Sequence, residues 1–435
     1  METIMNILSL TSAWDAIILN FSPLFTQPTA HIFTNLITGW ILCTTRRTIT
    51  GIIPFANPKN KRPHDAYHRL FPKSRWLPAQ MWKLLAQLLI ELFYPAGIVW
   101  MDMDDTIFHR TGQKVDGAGW WRDAIRSTAS HVVHCWGLNL VVLTLRVIPP
   151  WGGEPLGLPI NMRLHRKNGP GLIELALQML AEVKGWFPER QFMMGADGFY
   201  ATLAGCGAAY THIISRMRRD AAIYELPAKK RKHRSGPHRK KGKRLPTPTQ
   251  IASRTQSWQR VQTCERGKTK YRLVYAKVVL WYKVSHTPVL LVISRDPAGK
   301  EQDDFFFTTD LQLTAAEVIG GFAGRWSIED TFKNTKQSLG SEEPQTWKGQ
   351  GPERAAVIGL WLYSVVWAWY IRYGYRKSSL QIMPWYSVKT HPSFQDALAA
   401  LRRVLWRKRI IIMFGNHTVP ARIIEFFIDA VAAAA

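Results

Sequence analysis

Apolar positions recur with two different periods along the chain, and this divides the chain into helical and strand-rich parts. The segment 64–93 ends in apolar positions with helical spacing, and this pattern is clearest from Pro78 onward. Proline is favoured in the first turn of a helix because it lacks an N–H group that the helix would leave unpaired there. The pattern predicts that residues 1–95 are helical.

Strand patterns begin at Gly97, where short apolar runs replace the helical spacing. A Pro/Gly turn separates two of these runs, and a helical segment separates them from two shorter runs that indicate buried strands. The strand patterns cover residues 97–106, 131–148, 156–164, 191–197 and 210–215, and the helical pattern covers residues 171–183. Hairpin-linked strands followed by strands that alternate with helices predict an α/β fold with a mixed sheet.

A tract without apolar residues interrupts this core at 229–244, and its Gly, Pro and Ser content predicts a flexible loop. Further strand patterns cover residues 271–284, 289–294 and 305–308. The pattern becomes helical from Thr314, which forms a capping box with Glu317. A β-rich insertion is therefore expected to separate the α/β core from its last helices.

These boundaries divide the chain into five predicted regions. They are an N-terminal helical domain (1–95), the first part of the α/β core (96–228), a basic loop with a β-rich insertion (229–312), the second part of the core (313–372) and a C-terminal helical region (373–435). In this division the two parts of the α/β core, residues 96–228 and 313–372, are separated along the chain and must pack together in the fold.

The charge balance favours a polyanionic partner. The 435 residues include 57 Lys and Arg against 31 Asp and Glu, a formal net charge of +26. Residues 229–244 hold ten of the basic residues and no acid, so the rest of the chain still carries +16. This distribution favours nucleic acid over an anionic membrane surface. The tract itself is compatible with a solubilising linker, but contact with DNA is favoured. Residues 1–95 are equally compatible with a DNA-binding or assembly domain and with helices that only pack.

Other features bear on the compartment. The cysteines lie far apart without a C-x-x-C pair, which fits a reducing environment; they are Cys43, Cys135, Cys206 and Cys264. Glu2 stands where an export signal carries a basic residue, so we expect a cytoplasmic protein. The apolar stretch 355–370 is slightly shorter than the ~17 residues that a membrane span needs, and a buried core helix is expected there instead.

Acidic residues mark the candidate chemistry. Asp102, Asp104 and Asp105 are expected at the end of the first strand, and Asp197 directly after a later one. A carboxylate beside a buried strand is costly unless it meets a metal, a donor or solvent, although any one of these residues is ordinarily a loop aspartate. Glu329 lies in the segment 322–336, which is expected to be helical.

On a continuous helix, which turns about 100° per residue, Glu329 would share a face about 60° wide with Phe322, Arg325 and Lys336. Such a face is also compatible with an ordinary exposed Arg–Glu pair. Taken together, however, the acidic positions follow a pattern: Asp on the first strand, Asp after a later strand, and Glu on a helix beyond the insertion. Three carboxylates can hold two divalent ions for phosphoryl transfer, and magnesium prefers such oxygen ligands.

At these residues the chain resembles the insertion-sequence transposases that carry a DDE site on an RNase H-like fold. Their signature Y-x2-R-x3-E-x6-K corresponds to Phe322, Arg325, Glu329 and Lys336, with phenylalanine in place of tyrosine. The Asp-Asp-Thr at 104–106 and the Ala-Asp-Gly-Phe-Tyr at 196–200 also look like this family. The resemblance covers residues 97–369, with a looser likeness at 67–76.

The resemblance implies a role for each matching residue. Asp104, Asp197 and Glu329 would be the catalytic residues and would ligate Mg²⁺ or Mn²⁺, as two ions. Asp104 is preferred over Asp105, since the family's aspartate stands two residues before the threonine, and Asp102 is the third choice. The DNA contacts would come from four residues on the glutamate segment: Arg325 and Lys336 on phosphates, Trp326 on a base, and Phe322, which lacks the tyrosine hydroxyl.

The resemblance also implies the activity and its setting. Such an enzyme binds double-stranded DNA at the inverted-repeat ends of a mobile element, cuts phosphodiester bonds and joins the freed 3′-OH to target DNA. It acts as a homodimer or higher oligomer on DNA, without a membrane, in a prokaryotic cytoplasm at the nucleoid.

Two other functions remain compatible with the sequence. Residues 102–106 also fit D-x-D-x-T, the nucleophile motif of haloacid-dehalogenase-like phosphatases, but the acidic pair that those enzymes need downstream is missing from GADG at 195–198. A catalytically silent DNA-binding protein derived from a transposase is the other alternative, for which the change at Phe322 gives mild support.

Overall fold

The structure is a computed structural model that describes residues 2–123, 126–128, 130–207, 211–227, 239–378, 380, 388–414 and 421–433. Most of the basic tract predicted to be a loop, residues 229–244, therefore lies outside the described residues. Within these ranges, side chains are described at all residues except 2–8, 413–414, 421 and 433.

Five helices precede the first strand. They are α1 Glu2–Leu19, α2 Gln27–Leu42, α3 Ile49–Ala56, α4 His64–Arg69 and α5 Pro78–Phe93. Helix α5 begins at the proline that the sequence indicated and buries an apolar stripe against the sheet. Trp40 of α2 donates its indole N–H to the carbonyl of Leu339 at 2.7 Å, far along the chain. These helices thus share one hydrophobic core with the rest of the molecule.

The described residues form one ten-stranded mixed sheet. The strands are β1 Val99–His109, β2 Gly119–Arg122, β3 His134–Val147, β4 Leu156–His165, β5 Phe192–Ala196, β6 Thr211–Arg216, β7 Gln259–Glu265, β8 Lys268–Val279, β9 Val289–Arg295 and β10 Asp304–Thr308. The order is β2-β3-β1-β5-β6-β10-β9-β8-β7, with β4 paired to β3. The expected α/β fold with a mixed sheet is confirmed.

Parallel pairing is confined to the centre of this sheet. Strands β1 and β5 pair in parallel, as do β5 and β6, whereas β1 pairs with β3 in antiparallel register. The hairpin-linked strands β1, β3 and β4 thus lie on one side and the parallel additions on the other. Helix α6, Leu172–Trp186, connects the two groups.

The β-rich insertion continues the same sheet. Its last strand, β10, pairs with β6, and β9, β8 and β7 follow as an antiparallel meander. A short helix, α7 Pro248–Arg254, precedes this meander with a capping box. The hairpin of β7 and β8 begins earlier than the strand pattern at 271–284 indicated, because β7 is a largely exposed strand with few apolar positions.

The remaining helices are α8 Ala315–Gly324, α9 Ser327–Gln337, α10 Gly351–Trp369, α11 Phe394–Phe414 and α12 Ala421–Ala433. Helix α8 begins at the predicted capping box, since Thr314 and Glu317 exchange side-chain and backbone hydrogen bonds. The helical segment Gly351–Lys377 is long and apolar enough to cross a membrane, yet 94% of its apolar window is buried inside the protein. A core helix was expected there, and its burial agrees with that expectation.

Two local predictions were wrong. Strand β1 runs to His109, so Asp102, Asp104 and Asp105 lie within it rather than at its end, because β3 pairs with β1 over this whole length. The segment 322–336 is two helices rather than one, since α8 ends at Gly324 and α9 begins at Ser327.

Candidate active site

Asp104 and Asp197 lie side by side where β1 runs past the end of β5. The last parallel pair between these strands is Met103 with Ala196. Asp104 and Asp197 each follow by one residue, and neighbouring strands are about 4.8 Å apart. Asp197 stands just beyond the end of β5, and its charge acts on the Asp104 carboxyl group, so the two carboxylates are neighbours.

Helix α9 packs against β1 and carries Glu329 in its first turn. The guanidinium of Arg325 connects this glutamate to the sheet. Its Nη1 donates to Asp104 Oδ2 at 2.6 Å, and its Nη2 donates to Glu329 Oε1 at 3.3 Å. The structure thus brings together Asp104, Asp197 and Glu329, the three residues that the sequence indicated.

Asp105 belongs to the other face of β1, since consecutive side chains of a strand alternate. Its Oδ1 accepts a hydrogen bond from the Tyr200 hydroxyl at 3.2 Å. Tyr200 begins a short 3₁₀ helix, Tyr200–Gly205, which contacts β6 and α6. The geometry therefore separates Asp104, which faces α9, from Asp105, which does not.

The carboxylates are crowded in a partly desolvated place. Burial raises the pKa of Asp104 to about 7; the positive charge of Arg325 opposes this shift and the negative charge of Asp197 adds to it. Burial likewise raises the pKa of Glu329, against the charge of Arg325. Negative groups gathered in a low-dielectric site require a cation, and Arg325 supplies one here.

This donor set fits divalent metal ions. Magnesium and manganese take hard oxygen ligands, and the oxygens of Asp104, Asp197 and Glu329 are of that kind. Asp197 Oδ1 already accepts the backbone N–H groups of Phe199 and Tyr200 at 2.9 and 3.3 Å, which fixes the direction of its carboxylate. A carboxylate held in this way is positioned before any ion arrives.

Asp102 has a structural role instead. It is fully buried, and its carboxylate receives both Nε and Nη2 of Arg146 on the neighbouring strand β3. Two glycines leave the space that this ion pair needs. A Cβ at Gly195 would lie 2.5 Å from Asp102 Oδ1, and a Cβ at Gly324 would lie 2.7 Å from Arg146 Nη1. Asp102, the third choice for a metal ligand, is thereby committed to an ion pair.

The break between α8 and α9 corrects the picture of one helical face. Around Arg325 and Trp326 the backbone makes hydrogen bonds to the third preceding residue, which tightens the turn. Gly324 allows this turn to approach Arg146, and glycine weakens a helix. Phe322, Arg325 and Glu329 stay together, with the Phe322 ring centroid 5.5 Å from the Arg325 guanidinium.

Lys336 lies apart from this group, at the far end of α9. Its ammonium is 5.8 Å from the Phe108 ring and close to Glu342, Asp123 and Cys135. Burial lowers the pKa of Lys336, and these three negative or ionisable groups oppose the shift. Lys336 and Glu329 still share a face of α9, because they stand seven residues, about two turns, apart on this one helix; what separates them is about 10 Å along its axis.

A second group of possible metal ligands, which sequence reasoning missed, surrounds Lys336. Among the described residues, ligand atoms of His109, Asp123 and Cys135 lie within 4.8 Å of one another. No spacing signal marks them, because they come from three different strands or strand ends. The ammonium of Lys336 next to Asp123 and Cys135 already provides positive charge at this place.

A family model described as "DDE superfamily endonuclease" matches residues 20–287, which is more than half of the 435 residues. The chain belongs to this family. The match includes Asp104 and Asp197, while Glu329 lies beyond it. The DDE class that the motifs indicated is confirmed, and the haloacid-dehalogenase alternative is wrong, since its nucleophile position, Asp102, is sealed in the pair with Arg146.

Among solved structures, the chain is similar to a piggyBac transposase in a synaptic complex with hairpin DNA. The identity is 9% and the TM-score 0.40, over 93% of this chain and 76% of that one. No curated protein sequence matches the chain.

Proposed function

We propose that this chain is a DNA transposase of insertion-sequence type. It binds the inverted-repeat ends of its element, hydrolyses phosphodiester bonds there and joins the freed 3′-OH ends to target DNA. The observation that carries the proposal is that Arg325 joins Asp104 to Glu329, with Asp197 beside Asp104, in a chain of the DDE endonuclease family.

Asp104, Asp197 and Glu329 would hold Mg²⁺ or Mn²⁺ as two ions. When bound, such ions supply activation of the attacking oxygen and stabilisation of the leaving oxygen. The positions of the three carboxylates support this assignment, because two come from adjacent strands and the third from the helix that covers them.

The chain's own residues orient the DNA. Arg325 holds its planar guanidinium between Asp104 and Glu329, and the N–H donors that these two carboxylates leave free would bind a phosphate oxygen. Trp326 follows directly and is 42% exposed, so its ring can stack on a base of the DNA end. Phe322 keeps a ring beside Arg325 without a hydroxyl donor. Lys336 contacts the DNA backbone further from the carboxylates.

The net charge of +26 supplies much of the affinity, so binding should weaken steeply with salt. The ends and the target DNA must be held at once, which we assign to a homodimer or higher oligomer. We place the protein in a prokaryotic cytoplasm, associated with the nucleoid; its four cysteines are free, which suits a reducing compartment.

The test uses labelled duplexes that carry the terminal inverted repeats flanking this reading frame, with and without Mg²⁺. Glu329→Gln should abolish cleavage and leave end binding largely intact, because the amide keeps the shape and loses the charge. Asp330→Asn, one residue further on α9, is the matched control and should still cleave.

Cleavage by Glu329→Gln at the wild-type rate would overturn the assignment of the site. A wild-type chain that binds the ends without cutting under any divalent ion would indicate instead a silent DNA-binding protein derived from a transposase.

A further inference from the structure

The tip of the β7–β8 hairpin is fixed beside the candidate active site. Its two turn residues, Arg266 and Gly267, have positive φ angles of 53° and 72°, as in a two-residue hairpin turn of the primed type. A Cβ at Gly267 would lie 2.4 Å from the backbone of Gly153, in the loop between β3 and β4. The hairpin is thus docked against the core so closely that its tip has a defined position.

The base of the same turn is held by helix α8. A Cβ at Gly320 would lie 2.9 Å from the carbonyl oxygen of Cys264, near the end of β7. The insertion therefore contacts the core at two places, the loop between β3 and β4 and helix α8, and α8 leads directly to Arg325. Any side chain at the hairpin tip is presented to the segment that carries Arg325 and Glu329.

The side chain presented is Arg266. Its guanidinium lies over the Trp326 ring, 4.8 Å from the centroid, and its Nε is 3.3 Å from Glu154 Oε1. Arg266 is also among the positive charges that oppose the effect of burial on the pKa of Glu329. A residue of the insertion thus reaches the surroundings of the candidate catalytic glutamate.

Arg266 also lines a basic cleft of about 160 Å³ between the insertion and α8. Four arginines line it against two acids: Arg216, Arg266, Arg272 and Arg325, with Glu265 and Asp304. Both acids are already paired, Glu265 with Arg272 and Asp304 with Arg216. Arg266 and Arg325 also have acidic partners, Glu154 for the first and Asp104 and Glu329 for the second, but these carboxylates do not line the cleft. The lining itself therefore carries two more arginines than acids, and it includes Trp326.

Arg266 is held only weakly in the free protein. Its partner Glu154 is 42% exposed, and the Arg266 side chain is 43% exposed. An exposed ion pair contributes little, about 0–1 kcal/mol, so an incoming anion can displace the carboxylate at small cost. A guanidinium in such a place suits a phosphate, whose oxygens match its planar donors.

We propose that Arg266 binds a backbone phosphate of the DNA end, next to the bond that is cut, and exchanges Glu154 for that phosphate. This inference rests on the proposed function and deepens it, because it gives the insertion a direct part in positioning the DNA strand against Glu329. The guanidinium moves from the Trp326 ring toward the phosphate, which uncovers the ring face for a base.

The experiment combines a variant with chemical neutralisation of single phosphates. End duplexes with one methylphosphonate linkage at each position around the cleavage site are bound by the wild type, by Arg266→Ala and by Arg260→Ala. Arg260 is the matched control, because it lies on the same hairpin and over an aromatic ring, Tyr271, at 4.7 Å. Thermal melting confirms that each variant is folded.

The wild type should lose about ten-fold in affinity at one linkage beside the cleavage site. Arg266→Ala should bind the unmodified duplex about ten-fold more weakly and lose nothing further at that linkage, because the two changes remove the same contact. Its slope of log affinity against log salt should fall by about one. Arg260→Ala should keep the wild-type sensitivity to that linkage.

Glu154→Gln should change the affinity for end DNA in the opposite direction to Arg266→Ala. It removes the internal competitor of the phosphate, so end binding should tighten about two- to five-fold. Unchanged or weaker binding by this variant would contradict the exchange.

Two results separate this inference from the proposed function. If the wild type cleaves the ends and Arg266→Ala keeps the wild-type pattern of linkage sensitivity, the role of Arg266 is overturned and the transposase assignment stands. If the wild type shows no preference for end DNA, both are overturned together.

Discussion

Asp102 and Arg146 form a fully buried ion pair directly beneath the turn that leads into helix α9. The carboxylate receives two guanidinium donors, and the Ser327 hydroxyl lies 3.5 Å from its Oδ2. The Arg146 guanidinium also lies 5.0 Å from the Trp100 ring centroid. This pair connects strands β1 and β3 with the first residue of the glutamate helix, so it supports the geometry of the candidate site without taking part in it.

The first prediction concerns this pair. Asp102→Asn should destabilise the protein by about 3–5 kcal/mol, because it leaves the Arg146 charge buried without compensation. Replacing both partners, as in Asp102→Leu with Arg146→Met, should cost clearly less, since no charge is then left alone. Denaturant unfolding followed by circular dichroism measures both. Equal losses for the single and the double variant would contradict the view of a buried charge pair.

The second prediction separates the two neighbouring aspartates. Asp104→Asn should lower cleavage of end DNA by about a thousand-fold or more, on the order of the loss of one essential catalytic group. Asp105→Asn should stay within about ten-fold of the wild type, since Asp105 faces Tyr200 on the other side of β1. Single-turnover cleavage rates of the two variants measure this difference. A larger loss for Asp105→Asn than for Asp104→Asn would mean that Asp105, and not Asp104, is the metal ligand on β1.

The third prediction concerns Phe322, which stands where the family signature has a tyrosine with its hydroxyl. Phe322 lies between two guanidinium groups, 5.4 Å from Arg216 and 5.5 Å from Arg325, beside the basic cleft. Phe322→Tyr should tighten end binding about five-fold through one more hydrogen bond to a phosphate. The salt dependence should not change, because no charge is added. A weaker complex would mean that the ring packs where a hydroxyl is not accommodated.

The fourth prediction tests how the N-terminal helices are joined to the core. Arg354 of α10 is buried and donates to the carbonyls of Phe71 and Trp76 at 2.9 and 2.6 Å. Its guanidinium also lies 5.0 Å from the ring of Trp76. Arg354→Met should lower the free energy of unfolding by about 2–4 kcal/mol, because both carbonyls lose a charged donor.

The matched control for this change is Arg372→Met. Arg372 is exposed in the same helical segment and should change stability by less than about 0.5 kcal/mol. A similar small effect at Arg354 would indicate that residues 64–93 fold independently of α10.

Much of the local structure followed from the sequence. The helix from Pro78, the capping box of Thr314 and the apolar strands around Asp197 depend on neighbouring residues, so spacing and turn chemistry predicted them. Strand β2 was missed because it has only four residues, and strand β7 because it is exposed and has few apolar positions; both form through pairing with their partners. The break at Arg325 was missed because it depends on how closely Gly324 approaches Arg146.

The sequence by itself determined the family and predicted which residues would carry the chemistry: Asp104, Asp197 and Glu329, in a strongly basic chain with a DDE pattern. Only the tertiary structure decided which way each one points. Asp102 and Asp104 lie two residues apart on one face of β1, and their different roles arise from Arg146 and Arg325, which are distant along the chain. The reason is physical: the environment of a carboxylate is set by its neighbours in space, and these are brought to it by strand register and helix packing.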